Sequence, residues 1–423
     1  MLRLFRRAIA KSAGRAASAN LRAAADALQA LTEIDEPPKA RKRPAAKPAP
    51  RKAKPASRKA KPACRKAKGA DKPRKGLAET VAWIAAGGMP GVPAAARRKA
   101  GVPRGASFAR VTFSSDQGER SYTLYVPAAA RPPAGAPPCA PLPLVVMLHG
   151  CGQTPDDFAA GTRMNVLAEE FGLLVAYPAQ PSAANANRCW NWFNPSDQVR
   201  GGGEPALIAG IVRQILRDRP VDPARVYVAG LSAGGSAANI LGAAYPDLFA
   251  AVGVHSGLPV GAAQNSASAF VAMQQGAPGD RPTVAVPTIV FHGAADPVVH
   301  PRNGRFIAAR TLSAFPPLRQ VERSGRSPGG RAYGATVHRG PNSKPYCEHW
   351  VVEGLGHAWS GGHSSGTYTD PSGPDASREM LRFFLRHRMT LRNRKLGGVI
   401  APRQKPPRSP APASSPRPRA SAT

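Results

Sequence analysis

Residues 226–234 read Val-Tyr-Val-Ala-Gly-Leu-Ser-Ala-Gly and join a β-branched, aromatic run to an Ala- and Leu-rich run that extends to Tyr245. Within this stretch, residues 230–234 fit the pattern G-x-S-x-G. Such a pattern makes a sharp strand-to-helix turn that lifts a serine out of a sheet, and glycines flank the serine because side chains there would collide. The stretch therefore predicts a nucleophile elbow with Ser232 at its tip.

Two other stretches fit the same pattern, residues 325–329 (GRSPG) and 362–366 (GHSSG). Neither lies between a strand-like run and a helix-like run, and both are in segments rich in Gly, Ser and Pro. A pattern this short recurs by chance in a glycine-rich chain, so its context decides its meaning. We assign the elbow to Ser232 alone.

The positive charge of the chain is concentrated at its two ends. The 423 residues carry a formal net charge of +34, and residues 1–76 alone hold 23 Lys/Arg against 5 Asp/Glu. The middle of the chain has ordinary apolar content and enough length for one large domain. The predicted organisation is a helix-prone Ala-rich segment (1–34), a disordered Lys/Pro/Ala linker (35–76), a lead-in (77–104), a catalytic domain (105–390) and a disordered Pro/Arg tail (391–423).

A seven-residue repeat marks the linker over residues 51–68, where RKAKPAS and RKAKPAC are followed by a third copy that begins RKAK and continues to Ala70 as RKAKGA. Recurring Pro and Lys without large apolar residues predict a disordered polycation. It could bind a polyanion through counterion release, or it could be only a solvated linker; the sequence leaves both interpretations open. We expect no transmembrane segment and find no apolar run typical of a secretory signal.

Strand-like and helix-like runs alternate through the middle of the chain. An opening pair of strands with alternating apolar residues is followed by apolar runs with helical crossovers, which predicts a mostly parallel sheet with helices on both faces. Together with the nucleophile elbow, such a sheet indicates the α/β-hydrolase class. Functional residues of such sheets collect at the carboxyl ends of the strands. The predicted strands are 108–113, 121–126, 144–148, 173–177, 226–229, 250–254, 288–291 and 350–352, and the predicted helices are 165–171, 204–218, 236–244, 303–315 and 372–388.

A serine nucleophile needs a base, and the base needs an acid that orients it. In this fold the acid follows the serine in the chain and the histidine comes last. Asp296 follows the strand-like run 287–293, and His357 follows the run 349–352 on a Gly-flanked loop. The predicted triad is Ser232, Asp296 and His357.

Other histidines and aspartates in the middle of the chain are weaker candidates for these two roles. His363, six residues beyond His357, is the nearest competitor for the base. Position relative to the strands, or order in the chain, disfavours His292, His300, His349, Asp280, Asp370 and Asp375.

Acyl transfer also needs two preorganised N–H donors for the oxyanion. The first is predicted to be the backbone of Ala233, which follows the nucleophile, and the second comes from the turn at residues 148–153 (LHGCGQ). Gly150 and Gly152 let that turn approach a substrate, although a plain strand-ending turn would also contain glycines.

Three tryptophans lie in runs that surround these motifs. Trp190 and Trp192 belong to the run RCWNWF at residues 188–193, and Trp359 follows His357 by two residues. They could be packed core residues, the usual fate of aromatics, or an apolar wall for an acyl chain. Both interpretations stay open, and we name the three as candidate substrate-binding residues.

Together, the motifs LHGCGQT, NRCWNWF, VYVAGLSAGG, PTIVFHGAADPVV and GLGHAWSGG resemble the polyhydroxybutyrate (PHB) depolymerase esterase family over residues 122–387. The resemblance implies the same triad, with Cys151 and Ala233 at the oxyanion positions. It also implies a disulfide between Cys151 and Cys189, whereas the cysteine spacing alone indicates neither a disulfide scaffold nor a metal site.

The activity implied by the resemblance is that of a serine carboxylester hydrolase that uses an acyl-enzyme and no metal or cofactor. Its expected substrates are poly- or oligo-3-hydroxyalkanoate esters, with feruloyl and acetylxylan esters as the alternative. A granule- or nucleoid-associated binding protein with a vestigial hydrolase domain is the alternative from another class, and an intact triad argues against it. The resemblance implies an extracellular protein, but secreted family members usually carry a readable signal and none is recognised in this sequence. A cytoplasmic or granule-associated location is therefore the alternative expectation.

Overall fold

The computed structural model describes residues 102–130, 140–281 and 284–389. The predicted helix-prone segment, the Lys/Pro/Ala linker, nearly all of the lead-in and the Pro/Arg tail lie outside these residues, as do Cys64 and Cys139. No helix in the described ranges combines the length and the apolar character that crossing a bilayer would require.

The described residues form twelve strands and seven α-helices. The strands are β1 (Ser107–Ser115), β2 (Gly118–Val126), β3 (Leu142–Leu148), β4 (Leu174–Pro178), β5 (Val221–Leu231), β6 (Ala251–His255), β7 (Thr288–Gly293), β8 (Arg319–Arg326), β9 (Ala332–Arg339), β10 (Pro345–Val352), β11 (Trp359–Ser360) and β12 (Thr369–Asp370). The helices are α1 (Pro155–Thr162), α2 (Met164–Phe171), α3 (Gly203–Asp218), α4 (Ala233–Ala244), α5 (Ser266–Gln275), α6 (Arg302–Ser313) and α7 (Ala376–Phe384).

Ten of these strands form one sheet in the order β1-β2-β4-β3-β5-β6-β7-β10-β9-β8. The six strands from β4 to β10 run parallel, with antiparallel pairs β1–β2 and β9–β8 at the two ends. The mostly parallel sheet predicted from the sequence is therefore confirmed. All carboxyl ends of the parallel strands meet at one edge, where the candidate site residues follow β3, β5, β7 and β10.

Alternate residues of the central strands pack into two apolar layers, one on each face of the sheet. In β3, Leu144, Val146 and Leu148 contribute to the layer that contains α3 and α4. Val145 and Met147 contribute to the opposite layer, with α1, α2 and α7. Because helices cover both faces, the strands consist of continuous apolar runs, and each fully buried aliphatic side chain contributes about 1.5–3 kcal/mol.

The β8–β9 hairpin is the largest departure from the predicted elements, since no element is predicted between residues 316 and 349. β8 has the sequence RQVERSGR, and six of its eight residues are exposed. An edge strand with both faces largely in water has no alternating apolar pattern to reveal it.

Two short helices, α1 and α5, have no counterpart among the predicted helices. The sequence marks them by their capping residues rather than by apolar periodicity. Thr154 caps α1 by accepting a hydrogen bond from the Asp157 N–H, and Asn265 caps α5 in a capping box with Ser268. The last helix is shorter than predicted because Asp375 caps it at Ala376. Capping side chains of this kind satisfy N–H groups that the first turn leaves unpaired.

Candidate active site

The candidate nucleophile lies on a tight turn between β5 and α4. Ser232 has φ of 59° and ψ of −120°, a conformation that non-glycine residues rarely adopt. A Cβ on Gly230 would collide with the carbonyl of Gly234, and one on Gly234 would collide with the carbonyl of Leu148. Both glycines are therefore required for the strand, the turn and the helix to pack closely, as the elbow pattern predicts.

Asp296 and His357 are brought together at the same edge of the sheet. The Asp296 Oδ2 accepts a hydrogen bond of 2.8 Å from Nδ1 of His357, and both side chains are buried. The Asp296 Oδ1 accepts the N–H groups of Val298 and Val299, each at 2.9 Å. These bonds fix the carboxylate with one oxygen directed at the imidazole.

The charge of the Asp296 carboxylate is stabilised by its neighbours. Burial acts to raise the pKa of Asp296, but the imidazoles of His357 and His292 outweigh that effect and hold the pKa well below its usual range. The other nitrogen of His357, Nε2, is buried and has no hydrogen-bond partner among the described residues. An ionised acid thus holds Nδ1 as the donor and leaves Nε2 as a basic atom.

Ser232 and His357 are not hydrogen-bonded to each other in this structure, but the elbow and the segment that follows His357 both bond to His255 at the end of β6. The carbonyl of His255 accepts the Ser232 N–H at 2.8 Å, and its Nε2 accepts the Ser360 N–H at 3.0 Å. Burial is the main cause that lowers the pKa of His255 to about 3, so the ring is neutral and can accept that bond. One residue therefore anchors the elbow and the loop of the candidate base.

The turn after β3 presents one uncommitted N–H. The Gly150 N–H donates to Oε1 of Gln153 at 2.9 Å, and the Gly152 N–H donates to the Asn187 carbonyl at 2.8 Å. Within the described residues, neither Cys151 nor Ala233 donates its N–H to another group. These two N–H groups are thus available for an oxyanion.

A disulfide joins Cys151 in this turn to Cys189 in the Trp-rich run. The indole of Trp190 adds a second link, because its Nε1 donates to the His149 carbonyl at 3.0 Å. The turn after β3 is therefore held to the Trp-rich run on both sides of Gly150. Cys347 is the free cysteine of the described residues, and its thiol is buried.

Residues 120–313 match the family model for esterase PHB depolymerase. The resemblance to the PHB depolymerase esterase family that the motifs indicate is therefore confirmed over these residues. Poly(3-hydroxyalkanoate) depolymerase C of Paucimonas lemoignei is 32% identical over 260 residues, which cover 56% of this chain and 58% of that protein. Feruloyl esterase B of Neurospora crassa is 31% identical over 183 residues, which cover 38% of this chain and 60% of that protein. The chain thus spans less than two thirds of the length of these two curated relatives.

The fold is similar to that of acetyl xylan esterase from Aspergillus awamori, with a TM-score of 0.50 and 20% identity over 66% of this chain and 99% of that one. At this identity the likeness concerns the fold, and it agrees with the predicted α/β-hydrolase class. The motif GLGHAWSGG, which includes His357, lies beyond the residues that match the PHB depolymerase family model.

The tryptophans do not form the exposed apolar wall that was one interpretation of the sequence. Trp190 and Trp359 are 0% and 1% exposed, and Trp192 is 6% exposed. Trp359 donates Nε1 to Ser377 and stacks on His255, so it packs beneath the site. The structure therefore corrects the candidate substrate-binding role of Trp190 and Trp359: these side chains are core residues with almost no surface that a substrate could contact.

The competing candidates have other partners in the structure. His363 is exposed and its Nδ1 bonds to Ser365, whereas the carboxylate of Asp370 pairs with Arg331 and that of Asp375 caps α7. His292 lies beside the acid: its Nε2 donates to the Val299 carbonyl at 2.9 Å and is 3.5 Å from Oδ2 of Asp296. None of these groups replaces a member of the predicted triad.

Two supporting residues were not singled out from the sequence. His255 anchors two loops, and Gln153 bonds to the turn after β3. The signal for Gln153 was present, since it is part of the motif LHGCGQT. His255 stands at the end of a strand, and its role depends on tertiary contacts that no local pattern encodes.

Proposed function

We propose that the protein is a serine carboxylester hydrolase that acts on poly- or oligo-3-hydroxyalkanoate esters through an acyl-enzyme. The observation that carries the proposal is the buried hydrogen bond between Asp296 and Nδ1 of His357, which leaves Nε2 as the basic nitrogen. Ser232 follows β5 at the same edge of the sheet, where it is half-buried on the tight turn between β5 and α4.

In the first half of the proposed reaction, Oγ of Ser232 attacks the ester carbonyl carbon while Nε2 of His357 accepts the hydroxyl proton. The negative charge that forms on the carbonyl oxygen is stabilised by the N–H groups of Cys151 and Ala233. Asp296 stabilises the imidazolium without taking its proton. The tetrahedral intermediate then collapses, and His357 donates the proton to the departing alkoxide.

In the second half, water attacks the acyl-Ser232 carbonyl and Nε2 of His357 accepts a proton from that water. Collapse of the second intermediate returns the proton to Oγ of Ser232 and releases the carboxylic acid. Every proton step uses the same nitrogen, which is why a fixed tautomer is needed. The acid must therefore remain ionised throughout, and the lowered pKa of Asp296 supports this requirement.

The hydroxyalkanoate substrate is supported by the family match and by the depolymerase relative, and feruloyl or acetylxylan esters form the second candidate. The feruloyl esterase relative, of similar identity, favours that second candidate. A panel of emulsified poly(3-hydroxybutyrate), 3-hydroxybutyrate oligomers, p-nitrophenyl acyl esters, methyl ferulate and acetylated xylan separates them. We expect the highest kcat/KM on the hydroxybutyrate oligomers. Faster turnover of methyl ferulate or acetylated xylan would replace the proposed substrate but keep the reaction.

The disulfide gives a prediction for the same reaction. Opening the bond between Cys151 and Cys189 should lower kcat on a small soluble ester, because the turn that carries the Cys151 N–H loses one of its attachments. The bond closes a separation of 38 residues, so its loss should also destabilise the protein by about 2–4 kcal/mol. Initial rates and thermal unfolding, each measured with and without reductant, test both expectations.

The matched control is a double variant, Cys151→Ser with Cys189→Ser, which should already be slow and should not respond to reductant. Mass spectrometry of unreduced peptides establishes the starting state. Unchanged rates after complete reduction would contradict the proposed role of the bond in holding the turn.

We also propose that the basic repeat at residues 51–68 binds a polyanion, on the basis of its charge: it holds Lys and Arg throughout and no acidic residue. Binding of the full chain to duplex DNA should weaken about 10³-fold or more between 50 and 200 mM salt if about six phosphates are neutralised. Serine substitutions at the Lys and Arg residues of the repeat should weaken that binding and leave ester hydrolysis intact. Equal DNA binding by both proteins would make the repeat a linker.

A further inference from the structure

Gln153 is a buried side chain whose amide is fully used in hydrogen bonds around the proposed oxyanion turn. It is 3% exposed, and its Oε1 accepts the Gly150 N–H at 2.9 Å. Its Nε2 donates to Oδ2 of Asp157 at 3.0 Å, and to the carbonyl and Oγ1 of Thr367 at 3.1 Å each. A buried amide with this many partners is held in one orientation.

The first consequence concerns the peptide group that joins Gly150 and Cys151. The Gly150 carbonyl oxygen accepts two hydrogen bonds, from the backbone N–H of Gln153 at 3.2 Å and from Nδ1 of His149 at 2.8 Å. In a planar trans peptide the N–H points away from the carbonyl, so fixing the Gly150 oxygen also fixes the direction of the Cys151 N–H. Because the Gln153 side chain occupies the neighbouring Gly150 N–H, the Cys151 N–H is the donor that stays free in this turn.

The second consequence concerns the loop of the candidate base. Thr367, the partner of Gln153, precedes Tyr368, whose carbonyl accepts the Trp359 N–H at 2.7 Å. Trp359 follows His357 by two residues, and β11 pairs with β12 over Trp359 and Ser360. The Gln153 side chain therefore connects the oxyanion turn to the segment that leads from His357. Asp157 at the start of α1 adds to this connection, since its Oδ1 accepts the Thr367 N–H at 3.0 Å.

We propose that Gln153 is a positioning residue that aligns the oxyanion donor of Cys151 with the base His357. Gln153 acts through the turn and the loop and does not touch the substrate. The proposal rests on the proposed ester hydrolysis, and it adds a residue that the triad and the oxyanion pair do not include. If Gln153 has this role, its loss should weaken binding of the transition state more than binding of the substrate.

The experiment compares Gln153→Glu and Gln153→Ala with the wild-type full chain on a soluble ester. The Gln153→Glu variant keeps an acceptor for the Gly150 N–H but loses the amide donors and places a second carboxyl group beside Asp157. We expect kcat to fall about 10–100-fold in both variants, the size of effect that a misplacement of about 1 Å produces, with little change in KM. Affinity for an alkyl boronic acid, which forms a tetrahedral adduct with the serine, should fall by a factor similar to that in kcat/KM.

Gln198→Ala provides a matched control. Gln198 is partly buried, and like Gln153 it bonds to backbone groups in both directions: its Oε1 accepts the Gly261 N–H and its Nε2 donates to the Ala263 carbonyl. The Gln198→Ala variant should lose no more backbone hydrogen bonds than Gln153→Ala does, and it should be destabilised to a similar extent. Its kcat and boronic acid affinity should nevertheless match those of the wild type. Thermal unfolding of each variant establishes that rates are measured on folded protein.

Thr367→Val keeps the shape of the side chain and removes only the hydroxyl that Gln153 and Asp157 contact, so it serves if the glutamine variants do not fold. It should lower kcat and boronic acid affinity together, by a smaller factor. The proposal is overturned if folded Gln153→Glu or Thr367→Val protein keeps wild-type kcat and boronic acid affinity. It is also overturned if the Gln153 variants raise KM while kcat is unchanged. If wild-type protein hydrolyses no ester, or Ser232→Ala retains the activity, the proposed function fails instead, independently of Gln153.

Discussion

Ser232→Ala is expected to abolish ester hydrolysis while the protein stays folded. Without Oγ no acyl-enzyme can form, and removal of a serine nucleophile costs about 10⁶-fold in kcat. Ser232 adopts a backbone conformation that the surrounding glycine packing imposes, and alanine can occupy the same turn as serine. Single-turnover release of p-nitrophenol from an acyl ester measures the loss, and circular dichroism checks the fold.

The two other G-x-S-x-G serines supply the controls for that result. Ser364 is exposed on its loop, so Ser364→Ala should leave both rate and stability unchanged. Ser327 donates its hydroxyl to the Ser372 carbonyl, so Ser327→Ala should cost about 1 kcal/mol of stability but no activity. A Ser232→Ala protein that keeps more than about a tenth of the wild-type rate would show that another group is the nucleophile.

Asp296→Asn is expected to lower kcat by about 10⁴-fold with little change in the fold. The carboxylate accepts from Nδ1 of His357 and so keeps Nε2 unprotonated. An amide at this position can donate to Nδ1, which moves the imidazole proton to Nε2 and leaves no base for the serine. The two backbone bonds from Val298 and Val299 can persist, because the amide oxygen still accepts them.

Asp375→Asn and His363→Ala are the comparisons for this variant. Asp375 caps α7, and asparagine caps helices about as well as aspartate, so that variant should keep both stability and rate. In the described residues the side chain of His363 bonds only to Ser365 of the same exposed loop, so its removal should not change kcat. Loss of activity in His363→Ala together with survival of activity in His357→Ala would move the base to the glycine-rich loop.

The sequence predicted those features that depend on local pattern. The parallel strands consist of buried apolar runs, such as Val145 to Leu148. These runs have the length of a strand and end at turn-forming residues. The order of Ser232, Asp296 and His357 followed from the connection between strand ends and loops in this fold. Because the sheet brings the loops after β7 and β10 to the same edge, a hydrogen bond between Asp296 and His357 could be expected from the sequence.

The features that were not predicted depend on contacts between distant segments. β8 is polar because its two faces are largely exposed, so it resembles a loop in sequence. Trp190 was ambiguous because an aromatic run is equally suited to a core and to a binding wall. Its burial depends on the packing of the turn after β3, which lies 41 residues earlier in the chain.

Both proposed oxyanion donors are main-chain N–H groups, and this has a consequence for how the activity can be lost. Residues 151 and 233 would supply those N–H groups whatever side chain they carried, proline apart. No ordinary substitution at either position deletes the donor; it can only change the direction in which the N–H points. Inactivating changes in this turn should therefore concentrate at residues that never meet the substrate, namely the glycines of the elbow, the cystine and the side chains beneath them.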